Sequence, residues 1–194
     1  NDILDDLKKY SKSYKNIDWI KKQLTKLLNL INANYQNIVK ALNQDLGKCK
    51  VEASFEIENV IRELKYTIDN LSYWMEDKKI STELLLQFAK SSIVYQPHGL
   101  VLIISPFNYP FSLTLVPLIG AISAGNSVVI KPSEYTMNIS NLLEQMINDN
   151  LDQNNIKIIN GGLETSKELL EYQWDYVFFT GSTAVGRIIA KKMA

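Results

Sequence analysis

From Leu100 onward, short β-branched apolar runs alternate with helix-patterned segments, and this alternation restricts the chain more than any other feature. Leu100-Val101-Leu102-Ile103-Ile104 is a continuous apolar run of strand length. The segment from Phe111 to Ala124 is apolar nearly all round, as a buried helix is, and Gly125-Asn126 ends it. Val128-Val129-Ile130 is the next run, followed by Ile139, Leu142, Leu143, Met146 and Ile147 at helical spacing. Ile156 to Ile159 and Tyr176 to Phe179 predict two more strands. Between them lie a Gly161-Gly162 turn and a short helix to Tyr172, capped by Thr165 or Ser166; a last helix runs from Val185 to Met193. Strands that alternate with helices call for parallel pairing through crossover connections. The expected fold is therefore α/β, with an open, mostly parallel sheet flanked by helices, and its ligands bind beyond the carboxyl ends of the strands.

The first 77 or so residues read as helices. Ile17, Ile20, Leu24, Leu27, Leu28 and Ile31 form one apolar stripe, and Tyr35, Ile38, Val39 and Leu42 a second that Gly47 closes as a C-cap. A long helix from about Val51 carries Phe55, Val60, Ile61, Leu64, Ile68, Leu71 and Met75 on its apolar side. Ile93-Val94-Tyr95 reads as a strand closed by the turn Pro97-His98-Gly99. The resulting expectation is an N-terminal helical segment over residues 1–80, packed on an α/β domain over residues 81–194.

Lysine plus arginine balances aspartate plus glutamate at 21 each, which argues against a nucleic-acid or anionic-membrane partner. One cysteine, Cys49, excludes an internal disulfide and suits a reducing compartment. No apolar run is long enough to span a bilayer and the polar N-terminus is no signal peptide, so the expected location is cytoplasmic. The sequons at Asn70 and Asn138 then read as chance matches, and no metal site is expected.

Three patches at successive strand ends carry chemistry. Pro106-Phe107-Asn108-Tyr109-Pro110 holds a neutral amide between prolines and aromatics, and such a donor can stabilise a developing oxyanion without competing for protons. The bland alternative is a turn asparagine. Lys131-Pro132-Ser133-Glu134 sets an ammonium and a carboxylate beside a turn, able to meet phosphate or ribose oxygens and ribose hydroxyls. The same residues also suit a solvated lysine and a glutamate at a helix's first turn. Phe179-Thr180-Gly181-Ser182-Thr183-Ala184-Val185-Gly186 aims backbone N–H groups and a helix N-terminus at one point, which suits a pyrophosphate. It lacks the middle glycine of the dinucleotide fingerprint, and a glycine at a tight strand-to-helix turn is its alternative.

In order and residue type the three patches resemble the aldehyde dehydrogenase superfamily. Asn108-Tyr109-Pro110-Phe111 and Ile159-Asn160-Gly161-Gly162 are most similar to its class 3 branch. Asp45-Leu46-Gly47-Lys48, Glu52-Ala53 and Ala124-Gly125-Asn126 also resemble the family. The resemblance implies a Rossmann-like variant of the α/β sheet and the N-terminal, cofactor-binding part of an enzyme. That enzyme oxidises aldehydes to carboxylic acids through a cysteine thioester, with NAD, or alternatively NADP, accepting hydride. Carried over by position, Asn108 is the catalytic amide at the oxyanion and Tyr109 lines the aldehyde pocket. Ser105, Pro106 and Phe107 pass the cofactor through their backbone. Lys131, Ser133 and Glu134 belong to the adenosine ribose, Gly181 and Ser182 to the pyrophosphate, and Val185 to the adenine. Ala184 stands where the branch often has glycine. The catalytic cysteine and the water-activating glutamate have no matching position, so these residues are expected to be inactive by themselves; Cys49 is read as a surface or packing residue. The resemblance further implies a small-molecule aldehyde as substrate and a homodimer for the full-length enzyme. An acyl reductase of the same superfamily and a stand-alone nucleotide-binding module are the alternatives.

Overall fold

In the computed structural model, which describes residues 2–86 and 88–193, eight helices and six strands follow one another. Four helices come first: α1 (Asp2–Ser11), α2 (Ile17–Ala33), α3 (Tyr35–Leu46) and α4 (Lys50–Trp74). A two-stranded antiparallel ribbon, β1 (Lys78–Ile80) with β2 (Ser91–Ile93), leads into the main sheet. The remainder alternates as the sequence requires: β3 (Leu100–Ile104), α5 (Ser112–Ser123), β4 (Ser127–Lys131), α6 (Met137–Asn148), β5 (Ile156–Ile158), α7 (Leu163–Leu170), β6 (Tyr176–Phe179) and α8 (Thr183–Met193).

The four main strands are all parallel, in the spatial order β5-β4-β3-β6. From β3 to β5 the chain steps one way across the sheet, then returns past β3 to lay β6 on its other side. The order therefore reverses at β3, and a crevice opens there beyond the strand ends. Both faces are covered. Val101, Ile103, Val128, Ile130, Ile156 and Ile158 face a core shared with α2 to α6, whereas Leu100, Leu102 and Val129 face Leu4 and Leu7 of α1 and Leu169 of α7. Burial on two sides is why β3 and the centre of β4 are continuous apolar runs, whereas β5, at the edge of the sheet, carries the half-buried Lys157. The N-terminal helices are part of this packing: Leu27, Ile38, Ile57 and Leu64 lie in the same cluster as Leu115 of α5 and Leu143 of α6.

Three local expectations are corrected. Phe55 is 73% exposed, because α4 buries Ala53, Ile57, Val60 and Leu64 and residue 55 points about 200° away from Ala53 around the helix. The strand expected at Ile93 to Tyr95 is Ser91–Ile93 instead, since its short partner pairs Lys78 with Ile93 and Ile80 with Ser91. Helix α7 starts at Leu163 with Gly162 as N-cap; Thr165 and Ser166 lie inside its first turn, where Ser166 donates its N–H to the Gly162 carbonyl at 3.2 Å. Gly47 does close α3, in the left-handed conformation (φ 66°) that favours glycine.

At the amino end of the sheet, Asp175 ties three elements. Its carboxylate accepts the Leu100 N–H at 2.7 Å and pairs with Lys8 of α1 at 2.6 Å. Burial alone pushes this carboxyl up, but the Lys8 hydrogen bond, the Leu100 N–H and the charges of Lys8 and Lys12 together hold it below its usual range. A carboxylate depressed on folding contributes stability above its unfolded pKa of about 3.9, and that stability is lost as pH falls through the lower folded value. Asp175→Asn should therefore melt a few degrees below the native chain near neutral pH. The gap should close as the medium is acidified through about pH 4 to 3, followed by circular dichroism.

Candidate functional site

The parallel register brings the three patches to one edge of the sheet: Ile104 is opposite Lys131 on one side and Phe179 on the other. The loop after β3 thus lies between the loops after β4 and β6. Its first residue is fixed on both sides. The buried Ser105 donates its N–H to the Lys131 carbonyl at 3.2 Å, and its hydroxyl bonds Thr114 of α5 at 2.7 Å. Across the seam, Thr180 donates its N–H to the Ile104 carbonyl at 3.1 Å. Pro106 is half-buried, and beyond it Phe107, Asn108 and Tyr109 are exposed over the sheet edge. Pro110 is buried, and its carbonyl accepts from Thr114, so the exposed tip is held at both ends. Phe107 meets the Tyr135 ring edge-on at 6.0 Å, joining the first patch to the second.

Lys131 is among the most buried side chains in the molecule, 1% exposed. Its ammonium donates to the Pro132 carbonyl at 2.6 Å and lies 3.6 Å from Glu134, which is exposed. Burial lowers the Lys131 pKa, and the Glu134 charge and hydrogen bond offset only part of that. Ser133 is buried; its hydroxyl accepts the Tyr135 N–H at 3.3 Å and its carbonyl accepts the Ser140 hydroxyl at 3.2 Å. Beside these residues a cavity of about 150 Å³ is lined by Ser133, Glu134, Met137, Ser140, Asn160 and Gly161. The Asn160 amide donates to Asn141 and Glu144, while its Oδ1 is buried without a partner among the described residues.

At the third patch, Gly181, Ser182 and Val185 are exposed. The Ser182 hydroxyl accepts the Val185 N–H at 3.3 Å, which caps α8. The Phe179 ring lies over Gly181 so closely that a Cβ there would sit 2.4 Å from it, so only glycine keeps both the ring and the open turn.

Sequence reasoning missed a carboxylate behind the site. Glu56 of α4 is buried, and its Oε1 accepts the N–H groups of Phe111 (2.9 Å) and Ser112 (3.0 Å) at the start of α5. Its other oxygen pairs with Lys48 at 2.5 Å, and the Lys48 ammonium lies 4.2 Å over the Tyr109 ring. Asp45, at the end of α3, does the same for α6: it accepts from the N–H groups of Asn138 (3.1 Å) and Ile139 (2.9 Å). The one available signal was a glutamate on a face of α4 otherwise occupied by Ala53, Ile57 and Val60. Cys49 is exposed at the start of α4 and donates its N–H to Glu52. His98 stacks on Tyr176 at 4.8 Å at the opposite, amino end of the sheet.

Comparison with known proteins places this geometry. The model of the aldehyde dehydrogenase family matches residues 5–194. The chain is 46% identical over 176 residues to the 4,4'-diaponeurosporen-aldehyde dehydrogenase of Staphylococcus aureus, covering 90% of this chain and 38% of that protein. It is 42% identical to aldehyde dehydrogenase family 3 member B2 of Mus musculus, covering 86% of this chain and 35% of that protein. The structure of Staphylococcus aureus AldH in a substrate-bound state superposes with a TM-score of 0.94 at 42% identity, over 98% of this chain and 42% of that one. The chain thus spans well under half the length of these relatives.

Burial disfavours the charged form of Lys131, which predicts that its charge adds little to stability. Lys131→Met should melt within about 2 °C of the native chain, or above it, at neutral pH. The native chain should gain on the variant as pH rises through the depressed Lys131 pKa toward the ordinary value of about 10.4, because the unfolded chain then holds the extra proton. Melting curves of both chains between neutral and alkaline pH check this.

Proposed function

Because the chain belongs to the aldehyde dehydrogenase family, we propose that it forms the cofactor-binding portion of an NAD(P)-dependent enzyme that oxidises small-molecule aldehydes to carboxylic acids. The observation that carries this reading is Asn108: an exposed amide held between two anchored prolines at the strand-order reversal, flanked by Lys131 and Glu134 on one side and Gly181 and Ser182 on the other. A pure nucleotide binder has no use for that amide or for Tyr109 beside it.

These residues fit a dinucleotide. A lysine buried at a cost in stability needs an anionic or hydroxyl-rich ligand to justify it, and the cavity beside Ser133 and Glu134 suits the ribose end. Glu134 accepts from ribose hydroxyls, Lys131 complements their oxygens, and Val185 packs near the adenine. The open turn at Gly181 and Ser182, at the head of α8, directs backbone N–H groups at the pyrophosphate. Ser105, Pro106 and Phe107 pass the cofactor with their backbone. When bound, the nicotinamide accepts hydride.

In the proposed reaction a cysteine from the rest of the enzyme attacks the aldehyde carbon, and negative charge collects on the carbonyl oxygen. Asn108 donates its N–H₂ to that oxygen, and the bond strengthens as the charge grows. Tyr109 walls the pocket in which the aldehyde sits. Hydride loss leaves a thioester, which water then cleaves to the acid. No described helix is long and apolar enough to cross a membrane. A cytoplasmic location is proposed from the single cysteine, which suits a reducing compartment. We also propose a homodimer. Leu84, Leu85 and Phe88, next to the β1–β2 ribbon, are 80% or more exposed, a patch that suits burial against a second copy.

In the complete enzyme, Asn108→Ala should lose on the order of 10²–10³ in kcat, with little change in the NAD dissociation constant or the melting temperature. Asn108→Asp should be no better, since a carboxylate cannot donate and repels the oxyanion. A variant with normal kcat, or one that unfolds, reduces Asn108 to a turn residue.

Cofactor choice tests the second patch independently. A carboxylate at the ribose repels a 2′-phosphate, so Glu134→Gln should narrow the NAD/NADP ratio of kcat/KM by about ten-fold. An unchanged ratio means that Glu134 does not reach the ribose.

A further inference from the structure

Of the three helices that open from the site, α8 is capped by its own Ser182, but α5 and α6 begin without a cap of their own. The N-cap of α5 is Phe111, which has no side-chain acceptor, and Thr136 makes no capping bond for α6. Each helix is capped instead from the corner where α3 meets α4, by Asp45 in the last turn of α3 and Glu56 in the second turn of α4. Glu56 takes the first N–H groups of α5, and Asp45 takes those of α6 together with the Asn138 side chain at 2.7 Å. The corner is stiff. Gly47 turns it in the left-handed conformation, and the Asn43 side chain donates to the Lys48 carbonyl at 3.0 Å. A carboxylate at a helix N-terminus meets free N–H groups and the positive end of the dipole, so both caps are electrostatically matched.

We infer that this corner positions the two halves of the site: Glu56, braced by Lys48, sets the Asn108 loop, and Asp45 sets the loop carrying Ser133 and Glu134. Glu56 grips the backbone three residues after Asn108, and Lys48 links that grip to the Tyr109 ring. Asp45 grips α6 four residues after Glu134. Asp45 and Glu56 act through the backbone they hold, and Lys48 through Glu56 and the Tyr109 ring. Oxyanion stabilisation depends steeply on donor placement, whereas ribose binding depends on the second loop. The two grips therefore separate into a rate effect and an affinity effect.

The inference rests on the oxyanion role proposed for Asn108, and a double-mutant cycle in the complete enzyme tells the two apart. Glu56→Gln keeps an acceptor for α5 but loses the ion pair. It should lower kcat roughly ten-fold or more with the NAD dissociation constant within about two-fold, and it should cost almost nothing further in an Asn108→Ala background. Asp45→Asn should show the reverse, a weakened NAD dissociation constant with kcat at saturation nearly kept. Should Glu56→Gln fail to fold, Lys48→Gln, which leaves the Glu56 cap in place, carries the same cycle with a smaller loss in the same direction. If Asn108→Ala is costly but the Glu56 or Lys48 effect is absent or simply additive to it, the positioning role is overturned while the oxyanion reading stands. If Asn108→Ala costs nothing, the oxyanion reading falls and this inference with it.

Discussion

Burial of β3 on both faces is the constraint from which the rest of the structure follows. Leu100, Leu102 and Ile103 are fully shielded, with β4 and β6 on either side and helices above and below. A strand so enclosed can keep polar groups only at its ends. Covering both faces then requires the chain to run helices along one side of the sheet and return along the other, and that return puts the reversal of strand order at β3. The crevice at its carboxyl end is a consequence of the same packing. Asn108 sits there because the first residues able to be polar after Ile104 are the ones leaving the sheet.

Charge is placed inside this apolar body sparingly: Lys15, Glu56 and Lys131 are the buried charged side chains among the described residues, and Lys15 donates to the Tyr10 and Ser13 carbonyls. Glu56 meets two helix N–H groups and a lysine; Lys131 meets a carbonyl and the nearby Glu134. The two differ in kind. Glu56 is answered in full within the chain, as a capping carboxylate is, whereas Lys131 remains in a setting that disfavours its charge. An ionised group that the fold tolerates without fully satisfying it, next in the chain to the cavity-lining Pro132, Ser133 and Glu134, is the pattern expected of a binding site.

Legibility in the sequence followed apolar character. β3 reads as a strand to the residue and β4 to within one residue at each end, because two-sided burial leaves an unbroken apolar run. Tyr176 to Phe179 reads to the residue from its aromatic and β-branched composition, although Tyr176 and Phe178 are exposed. The β1–β2 ribbon is exposed and rich in lysine and serine, so no period marks it and its register is set by pairing alone. Phe55 misled because an apolar side chain near a stripe was assigned to the stripe; its angle around α4 turns it outward. The cap of α7 misled because a glycine, with no side-chain oxygen, took the place expected of Thr165 or Ser166.

By itself the sequence determined the fold class, the order of the elements and the three patches at strand ends, since period and turn chemistry are local properties that neighbouring residues express. Only the tertiary structure decided which strand ends adjoin, how deeply Lys131 is buried, and that Asp45 and Glu56 accept helix N–H groups 93 and 56 residues away. A hydrogen bond across such a separation leaves no periodic trace. It exists because α4 packs on α5 and α3 on α6, the helices that cover the sheet, and the free N–H groups at those helix starts need an acceptor that their own sequence does not supply.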